Sequence, residues 1–212
     1  MKNLTLMIVF LLINFAVFAQ ADKYTVAMQK GITTTDSAKT AEDYTNAANY
    51  FERIAAAEQK QWLPQYYAAY TNFNSALVGN QTGETKDAIY DKAMAFVDKA
   101  DALMPNQSEI YALKSYIIYM KMAVSPQARA MSMIPQSVAL AEKAIALDGE
   151  NPRAYFVKAQ QLFYTPEAFG GGKAKAKPVL LLASEKFEKF MTIGLSPNWG
   201  KGRCQSLLKQ IN

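Results

Sequence analysis

Apolar residues recur with a helical period over most of the chain, and the periodic runs are separated by clusters of Pro, Gly and Asn. No run alternates strictly between apolar and polar residues, as a half-buried strand would. The runs and the residues that cap them predict helices at Asp22–Ile32, Thr40–Lys60, Trp62–Leu77, Thr85–Met104, Ser108–Val124, Pro135–Leu147, Pro152–Tyr164, Pro178–Met191 and Pro197–Ile211. The predicted fold class is therefore all-α.

A repeat of 44 residues underlies these helices. The aromatic residues near the start of four helices are spaced by 44 residues each, and they are Tyr67, Tyr111, Tyr155 and Trp199. Small residues keep the same spacing in two further columns. One column is Thr71, Ser115 and Ala159, and the other is Ala56, Ala100 and Ala144. A small residue one turn from an aromatic residue lets two helices approach closely. Each helix pair leaves an apolar face that must stack on the next pair, so we predict an α-solenoid of antiparallel helix pairs.

The joints between these units resemble those of tetratricopeptide repeat (TPR) proteins. Ala100-Asp-Ala-Leu-Met-Pro105 precedes Tyr111, and Ala144-Ile-Ala-Leu-Asp-Gly149 precedes Tyr155, with an Ala-to-Tyr distance of 11 in both. The stretch 151–173 also resembles exported TPR-like bacterial proteins of unassigned role, and the resemblance as a whole covers about residues 40–212. It implies a TPR-like solenoid fold and indicates very little about function.

The period is longer than that of the family, which is about 34 residues. Because the joints have the family length, the ten extra residues are expected between the two helices of each pair. We therefore predict long connections at Gly79–Glu84, Val124–Ile134 and Thr165–Lys177. Pro135, Pro152, Pro178 and Pro197 are expected in first turns of helices, where a missing N–H is no loss.

The first nineteen residues have the pattern of a signal peptide. Lys2 precedes an apolar run from Leu4 to Phe18, and Val17-Phe18-Ala19 places a small residue at the cleavage site. The run is shorter than the about 20 apolar residues of a membrane-spanning helix, so a retained anchor is the weaker alternative. We predict cleavage before Gln20, with a second possible cut after Ala21. The mature domain is then 20–212, periplasmic or secreted, and without a membrane span.

Composition removes several kinds of chemistry. The chain has no histidine and one cysteine, Cys204, which excludes histidine-based catalysis, histidine metal sites and an intrachain disulfide. Cys204 reads as a buried core residue. The formal charge of +5 is spread along the chain without a basic cluster, so nucleic acid is not an expected partner. Gly170-Gly-Gly-Lys173 lacks the first glycine and the Ser or Thr of a Walker loop. We predict no enzyme activity, no cofactor and no metal.

The TPR resemblance also implies a partner-binding groove, lined by residues on the first helix of each pair. Carried over by position, these residues are Asn72, Tyr116, Tyr119, Met120, Gln160, Phe163 and Tyr164. The alternative is that several of them fill the core.

Such a groove would be aromatic and uncharged, and would suit an apolar or extended peptide. The leading hypothesis is therefore a non-catalytic scaffold for a protein or peptide partner. Two alternatives remain: an enzyme or non-catalytic subunit acting on envelope polymers, and a small-ligand carrier that uses the space under the loop Thr165–Lys177. A deep pocket would favour the carrier, and an open groove the scaffold.

Overall fold

The computed structural model describes residues 23–211, and the predicted signal peptide and its cleavage site lie outside them. The described chain folds into α-helices without a strand, joined by short connections and one 3-10 turn. The helices are α1 (residues 23–37), α2 (Ala41–Ala57), α3 (Trp62–Val78), α4 (Gly83–Leu103), α5 (Ser108–Met122), α6 (Pro126–Leu147), α7 (Pro152–Tyr164), α8 (Lys173–Lys189) and α9 (Lys201–Lys209), with the 3-10 turn at Glu167–Phe169. No described helix is long and apolar enough to cross a bilayer.

Successive helices pack in antiparallel pairs that stack side by side. The closest packing joins α2 to α3, α3 to α4, α5 to α6 and α7 to α8. Helices α5 and α7 begin at Ser108 and Pro152, which are 152 − 108 = 44 residues apart. The prediction of an all-α solenoid of stacked helix pairs is confirmed.

The columns of small residues lie at the helix crossings. Ala100 and Ala144 are fully buried, as are Thr71, Ser115 and Ala159. The first unit departs from the prediction, because Ala56 is exposed and its neighbour Ala55 is buried instead. The register of the repeat is therefore displaced by one residue in α2, close to the end of the stack, where fewer neighbours constrain it.

The extra residues of each unit lengthen the second helices and do not form long loops. Helices α4 and α6 have 21 and 22 residues. The predicted connections Gly79–Glu84, Val124–Ile134 and Thr165–Lys177 are therefore wrong in extent, and they shrink to residues 79–82, 123–125 and 165–172. The part of α6 before Pro135, predicted as loop, is helical.

Two prolines lie inside helices instead of starting them. Helix α6 begins at Pro126 and contains Pro135, and α8 begins at Lys173 and contains Pro178. An internal proline removes one helical hydrogen bond and bends the helix. A proline in a first turn and one that interrupts a longer helix have the same local sequence pattern, and this explains these two incorrect helix starts. The start predicted at Pro197 is also wrong, because Pro197 lies before the helix and α9 begins at Lys201.

Residues 190–200 fold back across the face formed by α3, α5 and α7, and we call this segment the C-terminal clasp. Its Trp199 stacks on Tyr70 with 5.3 Å between ring centroids and donates from Nε1 to the Tyr66 hydroxyl at 2.8 Å. The same indole contacts the rings of Tyr116 on α5 and Phe156 on α7. Gly200 ends the clasp at φ 106°, a left-handed conformation that favours glycine.

A buried ion pair joins α5 to α7. Arg153, which is fully buried, donates from Nε and Nη2 to the two carboxylate oxygens of Glu109 at 2.6 and 2.5 Å. The guanidinium also lies over the ring of Phe190, the first residue of the clasp, 4.3 Å from the ring centroid. This pair therefore fixes two helices of the solenoid and the start of the clasp.

Candidate functional site

A cavity of about 980 Å³ opens between α5, α6, α7, the connection 165–172 and α9. Its lining is mostly apolar and aromatic. The volume lies at the upper end of the range for small-molecule sites, which is about 300–1,000 Å³. We treat this cavity as the candidate binding site.

The floor of the cavity is part of the hydrophobic core. Tyr116, Tyr119 and Met122 of α5 line it, and they are only 2, 4 and 5% exposed. The ring of Tyr116 also packs against Phe73 at 4.6 Å between centroids, so one face belongs to the core and another faces the cavity. The floor is therefore held rigidly by packing.

The rim of the cavity consists of exposed apolar side chains. Met131 on α6, Tyr164 at the end of α7 and Phe169 in the 3-10 turn line the cavity, and they are 90, 57 and 77% exposed. Exposed apolar groups that converge on an opening are typical of a ligand or partner site. The cavity thus has a buried floor and an apolar mouth.

Five of the seven residues predicted to bind a partner line this cavity: Tyr116, Tyr119, Met120, Gln160 and Tyr164. The repeat register predicted them because these positions of α5 and α7 face the same side. That they bind a partner stays a prediction.

The other two predicted residues do not line the cavity. Asn72 is buried, and its Nδ2 donates to Glu52 Oε1 at 2.9 Å and to the carbonyl of Ala68 at 2.8 Å. Phe163 packs on Tyr164 with 4.8 Å between ring centroids, and Lys173 lies over its ring. Both side chains therefore have structural contacts of their own.

Tyr119 of the floor is a neutral hydrogen-bond donor. The Tyr119 hydroxyl is placed to donate to the carbonyl of Gln161 at 3.3 Å, and it lies 3.4 Å from the Thr165 hydroxyl. Burial raises the pKa of Tyr119 above its ordinary value, against the smaller lowering effect of Thr165. The phenol is therefore protonated at neutral pH.

One charged side chain, Arg203 of α9, lines the cavity. The sequence interpretation missed it, although a signal was present. Arg203 follows Trp199 by four residues, at the position that Thr71, Ser115 and Ala159 occupy in the earlier units. Arg203 is a charged residue in a column of otherwise small residues, so the repeat pattern is broken at this position. The half of α6 before Pro135 was missed as well, because it was predicted as a connection.

The donors for a metal ion are few. Among residues 23–211, no cluster of His, Cys, Asp or Glu could hold one. Cys204 is buried outside the lining, with its Sγ 3.5 Å from the carbonyl of Leu180, and burial raises its pKa to about 11. The prediction that Cys204 is a core residue is confirmed. The lining itself offers only tyrosine oxygen and methionine sulfur as side chains able to bind a transition metal.

Comparison with solved structures gives an informative likeness. The chain is similar to the solved structure of the HusA haemophore from Porphyromonas gingivalis, with 33% sequence identity and a TM-score of 0.80. The likeness covers 89% of this chain and 92% of that chain. No family model matches the sequence, and no curated protein matches it.

Proposed function

Because this chain belongs to the family of the HusA haemophore, we propose that it is a non-enzymatic carrier that binds haem or a related porphyrin in the cavity between α5, α6 and α7. The observation that carries the proposal is the apolar cavity of about 980 Å³ with its aromatic floor. The sequence left three functions open, and the proposed haem or porphyrin carrier corresponds to the small-ligand carrier among them. The haemophore likeness favours it over a peptide scaffold and over an enzyme of envelope polymers.

The cavity suits a flat apolar ligand. Burial of apolar surface contributes about 25 cal/mol per Å², so a large ring system gains most of its affinity from area alone. Aromatic side chains such as Tyr116 and Tyr119 add preferred stacked or edge-to-face contacts. Their burial in the core means that little conformational entropy is lost when a ligand binds.

A peptide ligand is less well supported. The face of α3, α5 and α7, where the TPR resemblance implies a peptide groove, carries Trp199 of the C-terminal clasp. An extended peptide also needs hydrogen-bond partners for its backbone, and the apolar lining offers few of them.

The proposed carrier does not depend on a strong iron ligand. The chain has no histidine, and the lining has no cysteine. A tyrosine ligates iron as the phenolate, and the raised pKa of Tyr119 opposes that form. We expect apolar contact with the ring to supply most of the affinity, so that haem and the metal-free porphyrin bind with similar strength.

An exported location fits the proposed role. The predicted signal peptide at residues 1–19 would bring the carrier to the periplasm or the medium, where free porphyrin would be captured. Intact mass of the exported protein tests this part, since a chain that begins at Gln20 is expected and retention of Met1 would contradict it.

The test of function is a titration of the purified mature chain with haemin and with protoporphyrin IX, followed by absorbance and by quenching of tryptophan fluorescence. Two exposed methionines give a matched pair of variants. Met131→Glu places a charge on the apolar rim, whereas Met191→Glu makes the same change at a residue that is 78% exposed and lies in the clasp, outside the lining.

We expect saturable binding of both ligands by the wild-type chain. Met131→Glu should weaken it about tenfold or more, because it removes an apolar contact and adds a desolvation cost. Met191→Glu should leave it unchanged. Absence of saturable binding by the wild-type chain would reject the carrier function, and equal effects of the two variants would place the site elsewhere.

A further inference from the structure

The cavity combines an apolar lining with a single cation. Of the residues that line it, Arg203 alone carries a formal charge. A ligand that only needed apolar surface would gain nothing from this guanidinium, which costs free energy to desolvate. The charge of Arg203 at the cavity therefore indicates which chemical group the ligand carries.

The guanidinium is held in place by neutral partners. Its Nη2 donates to Asn74 Oδ1 at 2.6 Å, and its Nη1 donates to the Tyr116 hydroxyl at 3.4 Å. These contacts fix the orientation of the side chain at the cavity and leave three of the five N–H donors of an arginine (5 − 2) without a described partner.

Arg203 differs in this respect from Arg129, which is partly buried, and from Arg153, which is fully buried. Arg129 donates to both carboxylate oxygens of Asp87 at 2.6 Å, and Arg153 does the same with Glu109. No described carboxylate lies within ion-pair distance of Arg203. An arginine stays protonated under all ordinary conditions, so its charge at the cavity has no counter-ion from the described chain.

We propose that Arg203 pairs with a carboxylate of the ligand, and that the cavity therefore selects amphipathic acids, with an apolar ring body and an acidic side chain, over their neutral analogues. This inference rests on the proposed carrier function and adds the acidic group to the ligand's required chemistry. The propionate side chains of haem and of protoporphyrin IX supply such a group. The remaining N–H donors of Arg203 can bind both oxygens of a carboxylate in a planar fork.

The test compares protoporphyrin IX with its dimethyl ester, which keeps the ring and removes the acid. Neither probe contains iron, so metal ligation does not enter. The wild-type chain is compared with Arg203→Met, which keeps the length of the side chain and removes the charge. Arg53→Met is the matched control, because Arg53 lies on α2, outside the lining, with its guanidinium over the ring of Tyr50.

We expect the wild-type chain to bind the diacid about ten to a hundred times more tightly than the ester, the range for a hydrogen bond between charged groups. Arg203→Met should lower affinity for the diacid to about that for the ester, and affinity for the ester should change little. Arg53→Met should bind both probes like the wild-type chain. Arg203→Lys should retain part of the preference for the acid.

Each other result counts against the proposal in a different way. Equal loss of both probes in Arg203→Met would mean that Arg203 only maintains the cavity through Asn74 and Tyr116. Equal affinity of the wild-type chain for acid and ester would overturn the proposal even if Arg203→Met did not fold. Failure of the wild-type chain to bind either probe would instead reject the carrier function itself.

Discussion

Replacing Arg153 with methionine removes one half of the buried ion pair that joins α5 to α7. Arg153 is fully buried, and Glu109 is 15% exposed at its side chain, so the variant leaves a carboxylate with little water and no cation beside it. Removal of one partner from a buried pair costs about 3–5 kcal/mol of the free energy of unfolding. That is a large fraction of the about 5–15 kcal/mol typical of a folded protein.

The corresponding fall in melting temperature is about 6–20 °C, at about 2–4 °C per kcal/mol for a chain of this size. Circular dichroism at 222 nm against temperature and against urea measures both quantities. We expect one cooperative transition in each case, with the midpoint of Arg153→Met displaced and the slope against urea unchanged.

The deficit should also depend on pH. Burial raises the pKa of Glu109 above its ordinary value, against the opposing effect of Arg153, and loss of Arg153 raises it further. A group whose pKa is raised by folding stabilises the fold below its unfolded pKa, about 4.3, and this stabilisation is lost as pH rises through the folded pKa. Arg153→Met should therefore be closer to the wild-type chain at pH 4 than at pH 7.

The double variant Arg153→Met, Glu109→Leu is the control. An apolar pair of similar volume often replaces a buried ion pair at little cost, and Nη1 of Arg153 already lacks a hydrogen-bond partner among the described residues. The double variant should regain most of the lost stability. A single variant that costs less than about 1 kcal/mol, or a double variant no more stable than the single, would refute this account of the pair.

Two further predictions concern the core. Ala100→Leu and Ala144→Leu should each lower the free energy of unfolding by about 1–3 kcal/mol, because both alanines are fully buried. Ala56→Leu, at an exposed position, should change it by no more than about half a kcal/mol. Equal urea midpoints for the three variants would contradict the helix crossings. Cys204 should react with a thiol reagent at pH 8 only as fast as the chain unfolds, because its thiol is fully buried and burial also raises its pKa to about 11. Rapid reaction of the folded protein would show an accessible thiolate.

Local signals in the sequence predicted much of the fold. The starts of α3, α5 and α7 at Trp62, Ser108 and Pro152 agree with the predicted ones. At α7 the reason is local, because the Asn151 side chain caps the helix and Pro152 lies in its first turn. The full burial of Ala100 and Ala144 follows from the repeat. Internal proline positions were predicted wrongly because packing between helices, and not local sequence, decides whether a helix continues through them.

The candidate site was predicted only where the repeat register reaches it. Tyr116, Tyr119 and Gln160 face the cavity because α5 and α7 are adjacent units of one pattern. Arg203 reaches the same cavity from the end of the chain, through a contact with Asn74 that spans 129 residues. The repeat register places Arg203 in a column of otherwise small residues, but it does not encode this long-range contact, which exists only once the C-terminal clasp has folded back.

The clasp changes how cooperatively the molecule is expected to unfold. In an ideal solenoid each unit touches only its neighbours, so units at the end can unfold one by one. Here Trp199 is bonded to Tyr66 across 133 residues, and Tyr67 donates to the carbonyl of Leu195 across 128. Helices that are far apart along the chain are thereby coupled in unfolding. We expect that α9 cannot unfold without breaking the contacts between the clasp and α3. Amide hydrogens of α3 and of α9 should then exchange with similar protection, as parts of one cooperative unit.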